Sequence, residues 1–334
     1  MKTKNLLILP LFALCATSCS LNGVAHDISE YMLTIDVDVT KDFNILQLTD
    51  IHLGDTDDLD LHFKFMDLTI KDANADMIVV TGDLFTFASQ ATAHRLFAYF
   101  DSKGIPWTVT FGNHDEQCMF SVEWLTSTLN NWGGNCKFKD IQDDNVTGNA
   151  NFAINLRNKD DHTKIHEQIV ILDSNRYYFG SYFGYDYIKQ DQIDWYESLV
   201  KATKALNGGT TVESLMFAHI PVPEINDAYA AYERGETGVT LLHGTKGEKC
   251  CPPDVNSGFY DKIKGLNSTK GIYYGHDHKN DFIIDYHGIH IGYGIHSTDR
   301  VYYDETKMGG LVITVKPTHN IVYNPIRHTY KEVK

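Results

Sequence analysis

Three short apolar runs, Phe43–Thr49, Met77–Thr81 and Trp107–Phe111, are separated by stretches of helical periodicity, and each breaks off at a metal-seeking side chain. The first runs into Asp50, the second into Gly82-Asp83, the third into Gly112-Asn113-His114-Asp115. Between the first two, Leu61, Phe65, Leu68 and Ile70 recur near helical spacing over about Leu59–Ala73. A second helix is expected over about Ala91–Lys103, stopped by Gly104. A βαβαβ order argues for parallel strands with right-handed crossovers. In such sheets functional groups gather beyond the carboxyl ends of the strands, which is where these three clusters fall.

The second half continues the pattern. Glu167–Leu172 reads as a strand, Ile188–Leu206 as a helix, and Ser214–Ala218 as a strand that ends at His219 and is stopped by Pro221 and Pro223. Gly271–Tyr274 ends at Gly275-His276-Asp277-His278. Short strands near Phe282–Asp285, His290–Tyr293 and Leu311–Val315 read as a meander. The chain has 334 residues, 43% hydrophobic, and shows no long linker, low-complexity tract or internal repeat. The fold class expected is α/β, with two packed mixed sheets flanked by helices in a single domain over residues 41–334. Residues 228–257, with weak periodicity and many glycines, are expected as a long loop over the site.

The N-terminus reads differently. Lys2 and Lys4 precede a short apolar run, Leu6–Ala16, too short to span a bilayer, so residues 1–18 read as a secretory signal. Ala16-Thr17-Ser18-Cys19 resembles a bacterial lipobox, with Cys19 as the lipidated residue and residues 19–40 as tether and lead-in. The expected location is extracytoplasmic, with membrane contact through the lipid alone. Removing residues 1–18 takes two lysines from a net charge of −15, leaving −17. Such a surface repels nucleic-acid backbones, so polynucleotide binding is not expected. Of the remaining cysteines, Cys118 with Cys136 is the expected pair, tying down the segment after His114; Cys250 and Cys251 could pair with each other, pair elsewhere or stay free.

Taken singly, each motif has a bland reading: Gly112-Asn113 as a turn, Asp83 as a helix cap, His219 as a packing histidine. Thr-Asp50-Ile-His52, Thr-Gly-Asp83-Leu, Gly-Asn113-His114-Asp115, Ala-His219-Ile-Pro and Gly-His276-Asp-His278 in one chain, in this order, resemble the calcineurin-like metallophosphoesterases. Gly184-Tyr185-Asp186, Gln192-Ile193-Asp194-Trp195 and Gly258 with Asn256 bring the sequence nearest to the group of phosphatase Dcr2 and the short plant purple-acid-phosphatase-like proteins. The resemblance implies a four-layer αββα sandwich and a centre of two divalent or trivalent ions. One ion would take Asp50, His52, bridging Asp83 and His278; the other Asp83, Asn113, His219 and His276. Oxygen and imidazole donors suit Zn, Mn or Fe. The implied reaction is hydrolysis of a small phosphoric ester, mono- or diester, by a hydroxide bridging the ions. His114 would protonate the leaving oxygen or stabilise developing charge, and Asp115 would orient it. Purple acid phosphatases carry an iron-binding tyrosine three residues after the bridging Asp; here Thr86 stands there, so a tyrosinate–iron site is not expected. The competing reading is a lipid-anchored binding protein that uses the fold without turnover.

Overall fold

A computed structural model describes residues 26–179 and 183–334. Cys19 and the signal segment lie outside these residues. In chain order the strands are β1 (Met32–Val37), β2 (Phe43–Leu48), β3 (Met77–Thr81), β4 (Trp107–Thr110), β5 (Phe152–Asn158), β6 (Ile165–Ile171), β7 (Tyr177–Phe179), β8 (Phe183–Tyr185), β9 (Glu213–Phe217), β10 (Val239–His243), β11 (Thr269–Tyr274), β12 (Ile283–Tyr286), β13 (Ile289–Tyr293), β14 (Gly309–Val315) and β15 (Ile321–Arg327). The helices are α1 (Leu59–Ala73), α2 (Gln90–Asp101), α3 (Val122–Asn130), α4 (Gln190–Leu206), α5 (Glu224–Glu233) and α6 (Phe259–Leu266).

Two mixed sheets face each other. One has five strands in the order β15-β14-β2-β3-β4, and the other has eight in the order β1-β5-β6-β9-β11-β13-β12-β10. Side chains alternate across the strands and so divide the core in two. Ile169 and Ile171 of β6, with Leu215 and Phe217 of β9, join the cluster that fills the space between the sheets and extends to α1, α2 and α3. Val170 and Met216 point the other way, into a second cluster with Trp195 and Leu199 of α4, Ile225 of α5 and Ile263 of α6. The result is the four-layer αββα sandwich. Helix α1 spans the expected residues because the Asp58 carboxylate accepts from Leu61 N at its start and Asn74 adopts a left-handed conformation at its end.

Three expectations need correction. Residues 32–37, read from sequence as lead-in, are the edge strand β1, paired in parallel with β5. The segment 228–257 is not one loop: its start completes α5, through buried Ala228 and Ala231, and residues 239–243 form β10 against β12. The Cys118–Cys136 link is not made, and all four described cysteines are free. Each of those two thiols packs separately against the core, Cys136 with its Sγ 3.9 Å from the Leu129 carbonyl oxygen. Burial pushes both thiol pKa values up to about 12.

Candidate metal centre

Five strands end on the site. Asp50 and His52 follow β2, Asp83 follows β3, Asn113 and His114 follow β4, His219 follows β9, and His276 and His278 follow β11. The first three strands belong to one sheet and the last two to the other, so the cluster straddles the gap between them. All seven expected ligands are buried. Donor atoms of Asp50, His52, Asp83 and His278 lie within 4.8 Å of one another. His278 Nε2 is 3.4 Å from Asp50 Oδ1.

Asp83 stands between the two expected sets. Its Oδ2 is 3.6 Å from His52 Nε2 and 3.1 Å from His219 Nε2. Its Oδ1 accepts from His114 N at 2.8 Å. On the His219 side the buried Asn113 Oδ1 and His276 Nε2 find no hydrogen bond, and His219 Nε2 faces the Asp83 carboxylate alone. Buried polar atoms without a partner are rare, and oxygen and imidazole donors left over near a carboxylate are of the types that suit a cation. The donor chemistry of this buried Asp/His cluster is compatible with the metal ions implied by the sequence.

The ring orientations are fixed from behind. His219 Nδ1 donates to the Thr81 carbonyl oxygen at 2.8 Å, and His278 Nδ1 to the Tyr302 carbonyl oxygen at 2.7 Å. Carbonyls only accept, so both rings present Nε2 inward. His52 Nδ1 is 2.8 Å from Thr86 Oγ1. The threonine at the position of the iron-binding tyrosine of purple acid phosphatases thus braces an expected ligand histidine. The loop that follows β13 ties in as well: Ser297 Oγ accepts from Thr49 N, Thr298 Oγ1 donates to the Ile51 carbonyl oxygen, and the His296 ring stacks on His278 at 4.3 Å.

The backbone is bent to this purpose. Asp50, His52, Asp83 and His276 all have positive φ, at 54°, 52°, 50° and 79°. Such conformations cost about 1–3 kcal/mol each for residues with a side chain and cluster at functional sites. Close approach needs glycine beside them. A Cβ on Gly112 would lie 2.2 Å from Asp83 Oδ1, and one on Gly275 would lie 1.9 Å from Thr49 Oγ1.

Electrostatics follow from burial and charge. Burial alone would lower the His219 pKa, but the Asp83 carboxylate outweighs it and raises it to about 10. Burial alone would raise the Asp83 pKa, yet His219 and His52 hold it well below the usual carboxylate range. Burial lowers His52 to about 4 and His276 to about 3. Metal uptake at such groups displaces protons.

Asp115 does not orient His114. Its two oxygens accept from Phe85 N at 3.1 Å and Gly112 N at 2.8 Å, clamping the loops after β3 and β4 together. Burial, then the Asp83 charge, raises its pKa to about 8. The partner of His114 is Gln117, whose Oε1 lies 2.8 Å from His114 Nδ1. The hairpin β7–β8 adds aromatic side chains next to the second set. Tyr177 Oη accepts from Asn113 Nδ2 at 2.9 Å, and the Tyr185 ring lies edge-on to His276 at 4.3 Å.

Sequence reasoning missed Gln117, Tyr302, the hairpin's contacts and His296. His296 had a signal: it follows a strand and a glycine, as three of the motifs do. Tyr302 had none, being remote from every motif.

Comparison with known proteins agrees with this geometry. The calcineurin-like phosphoesterase family matches residues 43–280. The probable inactive purple acid phosphatase 14 of Arabidopsis thaliana is 26% identical over 323 residues, covering 86% of this chain and 78% of that protein. Phosphatase DCR2 of Saccharomyces cerevisiae is 26% identical over 266 residues, covering 72% of this chain and 45% of that protein. A dimetal phosphatase from Danio rerio shares the fold, with a TM-score of 0.50 at 13% identity over 86% of this chain and 99% of that one.

Proposed function

This chain belongs to the calcineurin-like phosphoesterase family, and from that premise we propose that it hydrolyses small phosphoric esters with two metal ions. The observation that carries the reading is that Asp83 Oδ2 lies within reach of both His52 and His219, with Asn113 Oδ1 and His276 Nε2 buried and without a hydrogen-bond partner on the His219 side. Asp50, His52, Asp83 and His278 would hold one ion; Asp83, Asn113, His219 and His276 the other. When bound, the ions supply charge to polarise the phosphate oxygens and to acidify the water that attacks phosphorus.

The remaining chemistry falls to the protein. His114 is half-buried, its main chain is fixed by Asp83, and its Nδ1 is held by Gln117. Nε2 is the nitrogen left to exchange a proton with the leaving oxygen. Tyr177 and Tyr185 form an aromatic wall where the organic part of the ester would lie. The proposal also places the enzyme on a bacterial membrane through Cys19, supported by the lipobox-like sequence.

The test is elemental analysis of the purified protein together with assays on generic phosphate mono- and diesters. Two ions per chain, hydrolysis, and a nearly colourless solution are expected, since Thr86 replaces the tyrosine ligand. A fully loaded protein inactive across a broad ester panel would overturn the proposal in favour of a binding protein.

A further inference from the structure

The neighbouring strands β6 and β9 each carry an acid at or near the start. Glu167 and Glu213 occupy paired positions of these parallel neighbours. They continue the inward rows Ile169–Ile171 and Leu215–Phe217, so both face the space between the sheets. Like charges placed opposite one another on a sheet destabilise it. Glu167 is 2% exposed. Its Oε2 lies 3.2 Å from His319 Nδ1. Lys270 approaches Glu213 only to 4.0 Å.

His319 comes from the other sheet. It sits in the turn between β14 and β15 with φ of 65°, where Asn or Gly is the usual choice. Its ring packs against that of His166 at 4.4 Å. Next to it is a cavity of ≈ 290 Å³ lined by His166, Glu213 and His319. Donor atoms of Glu167, Glu213 and His319 lie within 4.8 Å of one another.

We propose that Glu167, Glu213 and His319 form a further metal site, separate from the Asp83 centre, that takes a divalent transition ion such as zinc. Two carboxylates and an imidazole are the donor types such ions prefer. A cation there would relieve the repulsion between the paired acids and fasten the β14–β15 turn to the eight-stranded sheet. The role is structural, since the site lies at the strand ends remote from His114.

The experiment compares wild type with His319→Asn, which removes the imidazole and suits the left-handed turn. Both are saturated with zinc, freed of excess, and analysed for metal. Wild type should retain one zinc per chain more than the variant, whatever the total. Free zinc should also raise the wild-type Tm by roughly 5 °C more than that of the variant at concentrations well above Kd. Ester hydrolysis should be unchanged. Glu213→Gln should behave as His319→Asn does. Equal zinc counts and equal Tm responses would show that His319 and Glu167 form a plain ion pair, and would overturn the proposal. Loss of the Asp83 centre would lower both totals alike and leave the difference standing.

Discussion

The Nε2 atoms of His52 and His278 stand 3.2 Å apart, while the opposite nitrogen of each ring is tethered, to Thr86 and to the Tyr302 carbonyl respectively. Two nitrogens each about 2.1 Å from one tetrahedral ion are themselves about 3.4 Å apart. The rings are therefore held near the spacing that a shared ion would require, by groups behind them.

This makes Thr86 testable. Thr86→Val keeps the shape and removes the hydroxyl that braces His52. Affinity for the ion bound through His52 and His278 should fall about 10–100-fold, as is typical when such a brace is lost. Titration of metal into chelator-treated protein measures it. Unchanged affinity would show that packing alone fixes the His52 ring.

Asp83→Asn and His114→Asn should fail in different ways. Asp83 contacts both donor sets, so its loss should empty the centre and abolish activity. His114 is not among the expected ligands. Its loss should leave the metal content in place while kcat falls by roughly 10²–10⁴-fold. Esters with good leaving groups should suffer least if His114 protonates the leaving oxygen. Metal loss in His114→Asn would end the division of roles.

Gln117 and Asp115 should separate orientation from architecture. Gln117→Leu frees the His114 ring, so kcat should drop at least several-fold, with KM, metal content and Tm little changed. Asp115→Asn can satisfy only one of the two amides that Asp115 now accepts, so stability should fall by about 1–3 kcal/mol. Chemical denaturation and steady-state kinetics on both variants check this. The reverse pattern would restore Asp115 as the orienting group.

Asp140 gives a pH signature away from the centre. Burial raises its pKa to about 6, and its Oδ2 is a buried oxygen without a partner. A carboxyl whose folded pKa exceeds its unfolded value favours folding when protonated. That contribution is complete below the unfolded pKa of 3.8 and is lost as pH rises through about 6. Asp140→Asn should therefore be more stable than wild type at pH 8, with the gap closing as pH falls to 4. A gap independent of pH would refute the assignment.

The legible part of the molecule was the part set by local pattern. The strand before Asp50, helix α1 and the strand before Asp83 fall within a residue of expectation, because buried β-branched runs and capped amphipathic helices announce themselves. That the seven expected ligands would gather was legible because each follows a strand. The supports were not. Tyr302 acts through its carbonyl, which any residue has, and Gln117 sits two residues beyond the acid that sequence favoured. Strand β1 was missed because it pairs with β5, a partner more than a hundred residues away, and its alternation is weak.

The four left-handed residues of the expected ligand set put foldability against ion capture at the same four φ angles. Glycine at Asp50, His52, Asp83 or His276 would relax the main chain while deleting a donor. A laboratory selection that rewards heat resistance alone, with no metal supplied, should therefore accumulate changes at these positions first. Its winners would be sturdier than the parent and chemically mute.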